Sequence, residues 1–415
     1  MNNGKTIGRL KTIERFLRCV TVDTQSSETS ATQPSTPGQT VFARQLAEEL
    51  KALGAADVFL SDGACVYATI PASAGRDGEA ALGFLAHLDT SPEASGASVK
   101  PQCVVYRGGV LNLGASGRTL DPAVFPELDD LVGKELIVTD GTTLLGADDK
   151  LGVAILMTLA ETLLGPDAPD HREIRLAFTP DEEIGEGTRG FDAARFGAKV
   201  AFTVDGGPVA EIENANFNAA SATVRFHGVS VHPGSAKGVM VNALKLAASF
   251  VGLLPPQESP ERTEGREGFY HPISLVGSVG EATLTMILRD HDAGKLEDRK
   301  RVLARLVENL NATVGEGTAE LTVKDQYRNM EARLCEVPEL VRAAEAAVRS
   351  VGLEPRLRAI RGGTDGAALT EMGIPCPNLG TGGRNFHGEY EYAIVEEVEK
   401  AQSIVLHLAE MTFAS

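Results

Sequence analysis

The segment Leu144-Leu-Gly-Ala-Asp148-Asp-Lys-Leu-Gly152 sets two adjacent carboxylates at the mouth of an apolar helical stretch that runs from Leu151 to Ala160. A carboxylate at such a junction is held stiffly, because helix packing fixes the residues that follow it. That suits a hard charge holding metal, and Asp148 is placed to bridge two ions. An acidic residue before an apolar helix also caps it, and on this stretch alone capping is the commoner cause. Other clusters shift the balance. Ala80 to Ala86 is strand-like and leads into His87-Leu-Asp89-Thr90. Glu173 to Thr179 ends at Pro180-Asp-Glu182-Glu183, and Lys199 to Val204 ends at Asp205-Gly-Gly207. His387 stands in the loop Asn385-Phe-His387-Gly388.

His87, Asp148, Glu183, Asp205 and His387 together offer two imidazoles and three carboxylates. That mixed N/O set suits two zinc ions with Asp148 between them, each ion keeping a position open for water. Such a pair polarises a carbonyl and activates water at neutral pH. Hydrolysis also needs a proton carrier, and Glu182 stands beside Glu183. Asp89, two residues beyond His87, is placed to orient that imidazole. Singly, each has a plainer reading. A strand-end His is more often a surface group than a ligand, and Asp181-Glu-Glu183 alone reads as a solvated turn. The joint pattern points to a di-metal hydrolase, because each cluster follows a strand that should run the same way.

The elements that must position these groups read as α/β. Ile7, Leu10, Ile13, Phe16 and Leu17 recur at helical spacing, predicting a helix over residues 5–19. A polar loop covers 21–40, and a second helix over 39–53 stops at Gly54. Alternating strands and helices favour a mostly parallel central sheet, with sites beyond the strands' carboxyl ends. Residues 91–140 read as a long functional loop holding one strand near Ile137. From Phe217 the texture changes. Strands over 217–227, 273–279, 282–290 and 319–324, with helices over 242–254 and 295–314, read as an inserted α+β domain spanning 216–326. Residues 1–215 and 327–415 form the first domain. It closes with a helix over 338–351, a strand over 356–360, a turn at Gly362 to Gly366 into another helix, and a last helix over 394–411.

A chain of 415 residues exceeds one ordinary core. Its net charge of −18 repels phosphate backbones and anionic lipid, which argues against nucleic-acid and membrane partners. No apolar run reaches spanning length, and residues 1–20 lack a signal-peptide core. The five cysteines are scattered, with no Cys-x-x-Cys pair, which predicts a reduced, cytoplasmic setting.

Several motifs carry a closer likeness: His87-Leu-Asp89, Asp148-Asp-Lys-Leu-Gly152, Asp181-Glu-Glu183, Asp205 and His387. Through them the sequence resembles the zinc-peptidase family that includes carboxypeptidase G, peptidase V, aminoacylase and succinyl-diaminopimelate desuccinylase. Longer motifs are similar to its tripeptide-aminopeptidase branch: Asp89-Thr-Ser-Pro92, Tyr106-Arg-Gly-Gly109, Thr139-Asp-Gly-Thr-Thr-Leu-Leu-Gly-Ala-Asp148, Thr179-Pro-Asp-Glu-Glu183, Val231-His-Pro-Gly-Ser-Ala-Lys-Gly-Val-Met-Val-Asn242, Arg361-Gly-Gly-Thr-Asp-Gly-Ala367 and Cys376-Pro-Asn-Leu379. The resemblance implies that His87 and Asp205 hold one zinc and Glu183 and His387 the other, with Asp148 bridging and a cis peptide after it. Glu182 would be the general base and then acid, and Asp89 a supporting catalytic carboxylate. The inserted domain would be a lid or dimerisation domain, which makes a homodimer one implied assembly. Its His232 would stabilise the oxyanion, and its Arg289 would pair with a substrate carboxylate. Asn242 is a weaker substrate-binding candidate, equally readable as a helix-start residue. The implied function is a di-zinc aminopeptidase releasing the N-terminal residue from short peptides, tripeptides foremost. A zinc deacylase or dipeptidase on the same scaffold is the alternative, and a metal-dead peptide-binding relative a second.

Overall fold

The apolar strands assemble into an eight-stranded sheet in the computed structural model, which describes residues 3–114 and 116–412. Its order is Ala56–Leu60, Val66–Ile70, Ile174–Thr179, Leu82–His87, Val200–Gly206, Asn378–Gly380, Glu211–Ala215 and Arg356–Ala359. The four strands from Ile174–Thr179 to Asn378–Gly380 run parallel, flanked by antiparallel neighbours. Register decides where the chemistry goes. His87 pairs with Thr179 and Leu85 with Thr203, so His87, Asp205 and the Asp181–Glu183 turn leave the sheet at one edge.

The helix Ala147–Leu163 lies against that sheet and is buried throughout from Leu151 to Ala160. An all-round apolar helix needs cover on every side. The strands Leu82–His87 and Val200–Gly206 supply one side, and the helices Asn3–Cys19, Pro37–Leu53 and Val395–Glu410 the other. Gly152 permits the close approach, since a Cβ there would collide with the Val204 carbonyl oxygen. Arg15 ties three helices together through Glu49 (2.6 Å), Glu161 (3.2 Å) and Thr158 (2.8 Å). The side chains of Ile7 and Leu10 lie outside the described residues.

Residues 91–140 depart from the expected loop. Gln102–Val105 pairs with Glu135–Val138, which pairs in turn with Tyr392–Ile394 and through it Gly383–Arg384. A two-stranded ribbon, Leu111–Asn112 with Thr119–Leu120, adds to this layer. Strands of two to four residues are too short to display alternation. What holds them is a satellite core of Tyr106, Leu113, Leu120, Leu128, Leu136, Val138, Tyr392 and Ile394.

The chain divides into two compact units: Met1–Asn214 with Ala332–Arg358 and Thr364–Ser415, and Ala215–Glu331 with Ala359–Gly363. The second unit is an antiparallel sheet in the order Phe269–Gly277, Glu281–Asp290, Asn218–His227 and Ala319–Tyr327. Alternate residues Ala220, Ala222, Val224 and Phe226, with Ala282, Leu284, Met286 and Leu288, turn to one face. The helices Ala243–Val251 and Ala293–Val314 cover it. The edge strand starts at Phe269 rather than the expected Ile273, because Phe269 and Tyr270 are buried opposite Arg289 and Leu288. No described helix is long and apolar enough to cross a membrane.

Candidate metal centre

The two adjacent acids at the helix mouth divide the work that either could have done. Asp149 accepts the backbone N–H of Gly152 (3.1 Å) through Oδ1 and that of His87 (3.1 Å) through Oδ2. It is therefore the cap, and it also docks the helix to the His87 strand. Asp148 faces the other way, across a cis peptide bond to Asp149. Its Oδ1 lies 2.8 Å from His87 Nε2 and its Oδ2 lies 3.2 Å from His387 Nε2. One carboxylate thus addresses two imidazoles with different oxygens.

His87 Nε2 is also 3.3 Å from Asp205 Oδ1, and His387 Nε2 is 2.9 Å from Glu183 Oε2. The structure brings the five side chains together as two imidazole–carboxylate groups that share Asp148. His87 Nδ1 faces Asp89 on its other side, 3.1 Å from the carbonyl oxygen and 3.3 Å from Oδ1. Asp89 does more than orient the ring. Its two carboxylate oxygens accept the backbone N–H groups of Glu182 (3.0 Å) and Glu183 (3.2 Å). The turn they hold contains Asp181 in the left-handed region (φ 59°). Its carboxylate accepts Ser35 N (2.8 Å), Ser35 Oγ (2.5 Å) and Gln39 Nε2 (2.7 Å). Asp365, whose Oδ2 accepts the Thr179 hydroxyl (2.6 Å), braces the residue before the turn.

The donor set fits divalent cations. Two ligand atoms on one tetrahedral ion, each about 2.0–2.1 Å from it, lie about 3.3 Å apart. The four imidazole–carboxylate separations run from 2.8 to 3.3 Å. Glu183 Oε1 is buried with no hydrogen-bond partner among the described residues, which leaves a lone pair for a cation. Acid is also overloaded here. Burial pushes Asp205 and Glu183 up to about 7, with Asp148 adding repulsion in both cases. Burial pushes Glu182 well above the carboxylate range, although His87 opposes it. For Asp148 burial is outweighed by the two imidazoles, which hold it below that range. Hydrogen bonds that its ring donates to Asp148 and Glu183 raise His387 to about 11.

These shifts predict the pH behaviour of the metal-free protein. Asp205 and Glu183 at about 7 and Asp365 at about 6 bind protons that the unfolded chain has released. For such raised carboxylates the stabilisation is complete below about pH 4 and is lost as pH rises through 6 and 7. Thermal unfolding in chelator should therefore show a higher Tm at about pH 5.5 than at about pH 8. Added zinc should raise Tm more at the higher pH, because the ligands must shed protons to bind it. A zinc effect equal at both pH values would contradict the cage.

The remaining sequence candidates lie in the second unit. His232 is exposed, and its Nδ1 accepts Gly234 N–H (3.1 Å). Arg289 is buried, with Nη1 donating to the Leu288 carbonyl and to Gln326 Oε1 (both 3.0 Å) and the guanidinium 5.3 Å over the Tyr327 ring. Asn242 caps the helix Ala243–Val251 by accepting Lys245 N–H (3.1 Å). In the first unit, Arg384 Nη2 donates to both carboxylate oxygens of Glu397 (2.9 Å each). The sequence reading missed Glu391, which is buried and accepts backbone N–H groups of Leu145, Gly146 and Asp148. Its only signal was an acid four residues after His387.

The sequence model of Peptidase family M20/M25/M40 matches residues 144–411. Peptidase T of Vibrio parahaemolyticus serotype O3:K6 is 48% identical over 402 residues, 96% of this chain and 98% of that one. The crystal structure of an aminopeptidase, PepT, from Bacillus cereus superposes with a TM-score of 0.73 at 24% identity, covering 97% and 98% of the two chains. A dinuclear metal-binding peptidase of the M20 family from Bacillus subtilis shares the fold at a TM-score of 0.65 and 15% identity, covering 98% of each chain.

Proposed function

From the premise that the chain belongs to peptidase family M20/M25/M40, we propose that it is a two-zinc aminopeptidase that releases the N-terminal residue from short peptides, tripeptides foremost. The observation that carries this reading is Asp148 turning one oxygen to His87 and the other to His387. His87, Asp205 and Asp148 Oδ1 would hold one ion; His387, Glu183 and Asp148 Oδ2 the other. When bound, the zinc pair supplies the charge that polarises the scissile carbonyl and acidifies water.

The chain's own residues do the rest. Glu182 takes a proton from the attacking water and delivers it to the leaving amine nitrogen as the C–N bond breaks. Its elevated proton affinity suits the second half of that task. Asp89 fixes Glu182 by holding its backbone N–H, and orients His87 with the same side chain. His232 accepts a backbone N–H at Nδ1, which leaves Nε2–H as a donor for the oxyanion. Arg289, whose Nη1 donates to the Ala220 and Leu288 carbonyls and to Gln326, would pair with a substrate carboxylate. Asn242 is assigned to substrate on motif likeness beside its cap. The proposal extends to a cytoplasmic setting, in keeping with five free cysteines, and to a homodimer, which sedimentation tests.

A free tripeptide and its N-acetylated form, compared with zinc present, separate the readings. The free peptide should lose its first residue and the blocked one should remain intact. Cleavage of the blocked form alone would make the protein a deacylase. Binding without turnover of either would make it a peptide-binding relative.

A further inference from the structure

Glu391 spends both carboxylate oxygens on the loop that presents Asp148. Its Oε2 accepts the N–H of Leu145 (2.6 Å) and of Gly146 (2.7 Å), and its Oε1 accepts the N–H of Asp148 itself (3.1 Å). Glu391 is 2% exposed, so its carboxyl group meets these amides rather than water. Three hydrogen bonds from one buried carboxyl group onto one short segment are a strong local restraint. Gly146 takes φ 78° here, a conformation few other residues would hold without strain.

The same loop carries His387. Residues 385–391 close a hairpin whose stem pairs Gly383 with Ala393 and Arg384 with Tyr392. Asn385 and His387 both sit at positive φ, which bends the loop so that its two ends reach different targets. The stem also leans on the other loop directly. A Cβ on Gly383 would crowd the Ala147 side chain, next to Asp148. One hairpin therefore delivers a ligand and grips the residue that both half-sites share.

We propose that Glu391 is the positioning residue of the shared carboxylate: through three backbone amides it locks the Asp148 loop to the His387 hairpin, so that both ion positions depend on it. The inference rests on the two-metal reading above. Restraints of this kind around a ligand typically change metal affinity by about 10- to 100-fold when removed. Because Asp148 serves both half-sites, the loss should fall on both ions. A purely structural brace would lower stability and leave metal affinity alone.

The test is a competition titration of the full chain with zinc against a chromophoric chelator, together with the visible spectrum of the cobalt-loaded protein. Glu391→Gln keeps size but turns an N–H towards a backbone N–H. It should weaken both zinc-binding steps about 10- to 100-fold and alter the cobalt bands. Glu391→Asp, which keeps the carboxyl group but is one methylene shorter, should fall between it and the parent, and it decides the matter where the glutamine variant does not fold. Glu389→Gln, in the same loop but paired with Arg118 at 3.0 Å, should leave both steps unchanged. Parent-like zinc affinity in the folded Glu391 variants overturns the positioning role and leaves the two-metal reading intact. A parent protein that takes up no zinc overturns both.

Discussion

Replacing Glu182 with glutamine should lower kcat for a free tripeptide by about 10²- to 10⁴-fold, the usual contribution of a positioned general base, while zinc content stays at the parent level. The separation is possible because the turn does not depend on the Glu182 side chain. Its backbone N–H and that of Glu183 are held by Asp89, and Asp181 is gripped by Ser35 and Gln39. Glutamine has the same shape, so the turn should persist. It cannot take up a proton at neutral pH, so the transfer is lost. Removing one acid from a site where burial, Asp205 and Asp365 already raise Glu182 should also relieve repulsion. The metal-free Tm should then be no lower than the parent's. Steady-state kinetics with metal analysis on the same sample reads both effects. A kcat within threefold of the parent would remove Glu182 from the chemistry, and lost zinc would reassign it to the cage.

The clustering of these side chains was legible in the sequence because its parts obey a fold rule. His87, Asp205 and the Glu182–Glu183 turn each follow an apolar strand, and parallel pairing brings such strand ends to one edge. Register then leaves little freedom, since His87 pairs with Thr179 and Leu85 with Thr203. Asp148 was singled out from the sequence, but the part played by Asp149 in accepting the Gly152 and His87 N–H groups was not. Which acid caps the helix depends on the backbone path, and no spacing rule tells neighbouring Asp residues apart. Glu391 was out of reach for another reason. Its partners are backbone N–H groups up to 246 residues away in the chain, and a backbone donor leaves no mark on the sequence. In residues 91–140 the strand near Ile137 was expected, but Gln102–Val105, Leu111–Asn112 and Thr119–Leu120 were missed, because strands that short exist only through their pairing. The grip of Gln39 on Asp181 is similar, hidden inside a segment that reads as an ordinary amphipathic helix.

Substituting Asp148 by asparagine should abolish measurable turnover and remove both zinc ions, whereas His387→Ala should release only one. The difference follows from which oxygen meets which ring. Asp148 Oδ1 faces His87, which lies beside Asp205, and Oδ2 faces His387, which lies beside Glu183. Asparagine offers one neutral oxygen, so at best one half-site keeps an acceptor, and it keeps no charge. The other half-site would face an N–H₂ group, which cannot ligate. The remaining carboxylates do not compensate, because Asp149 is committed to Gly152 and His87 N–H, and Asp89 to the turn. The affinity loss should therefore exceed the roughly 10- to 100-fold expected from disturbing a hydrogen bond around a ligand. His387→Ala leaves His87, Asp205 and Asp148 together, so one ion should remain, with turnover lost because the second position is empty. Calorimetric zinc titration distinguishes the variants by stoichiometry: two for the parent, one for His387→Ala and none for Asp148→Asn. If the asparagine variant still took up two ions at parent affinity, Asp148 would not be the bridge, and the half-sites would have to be rebuilt around Asp149.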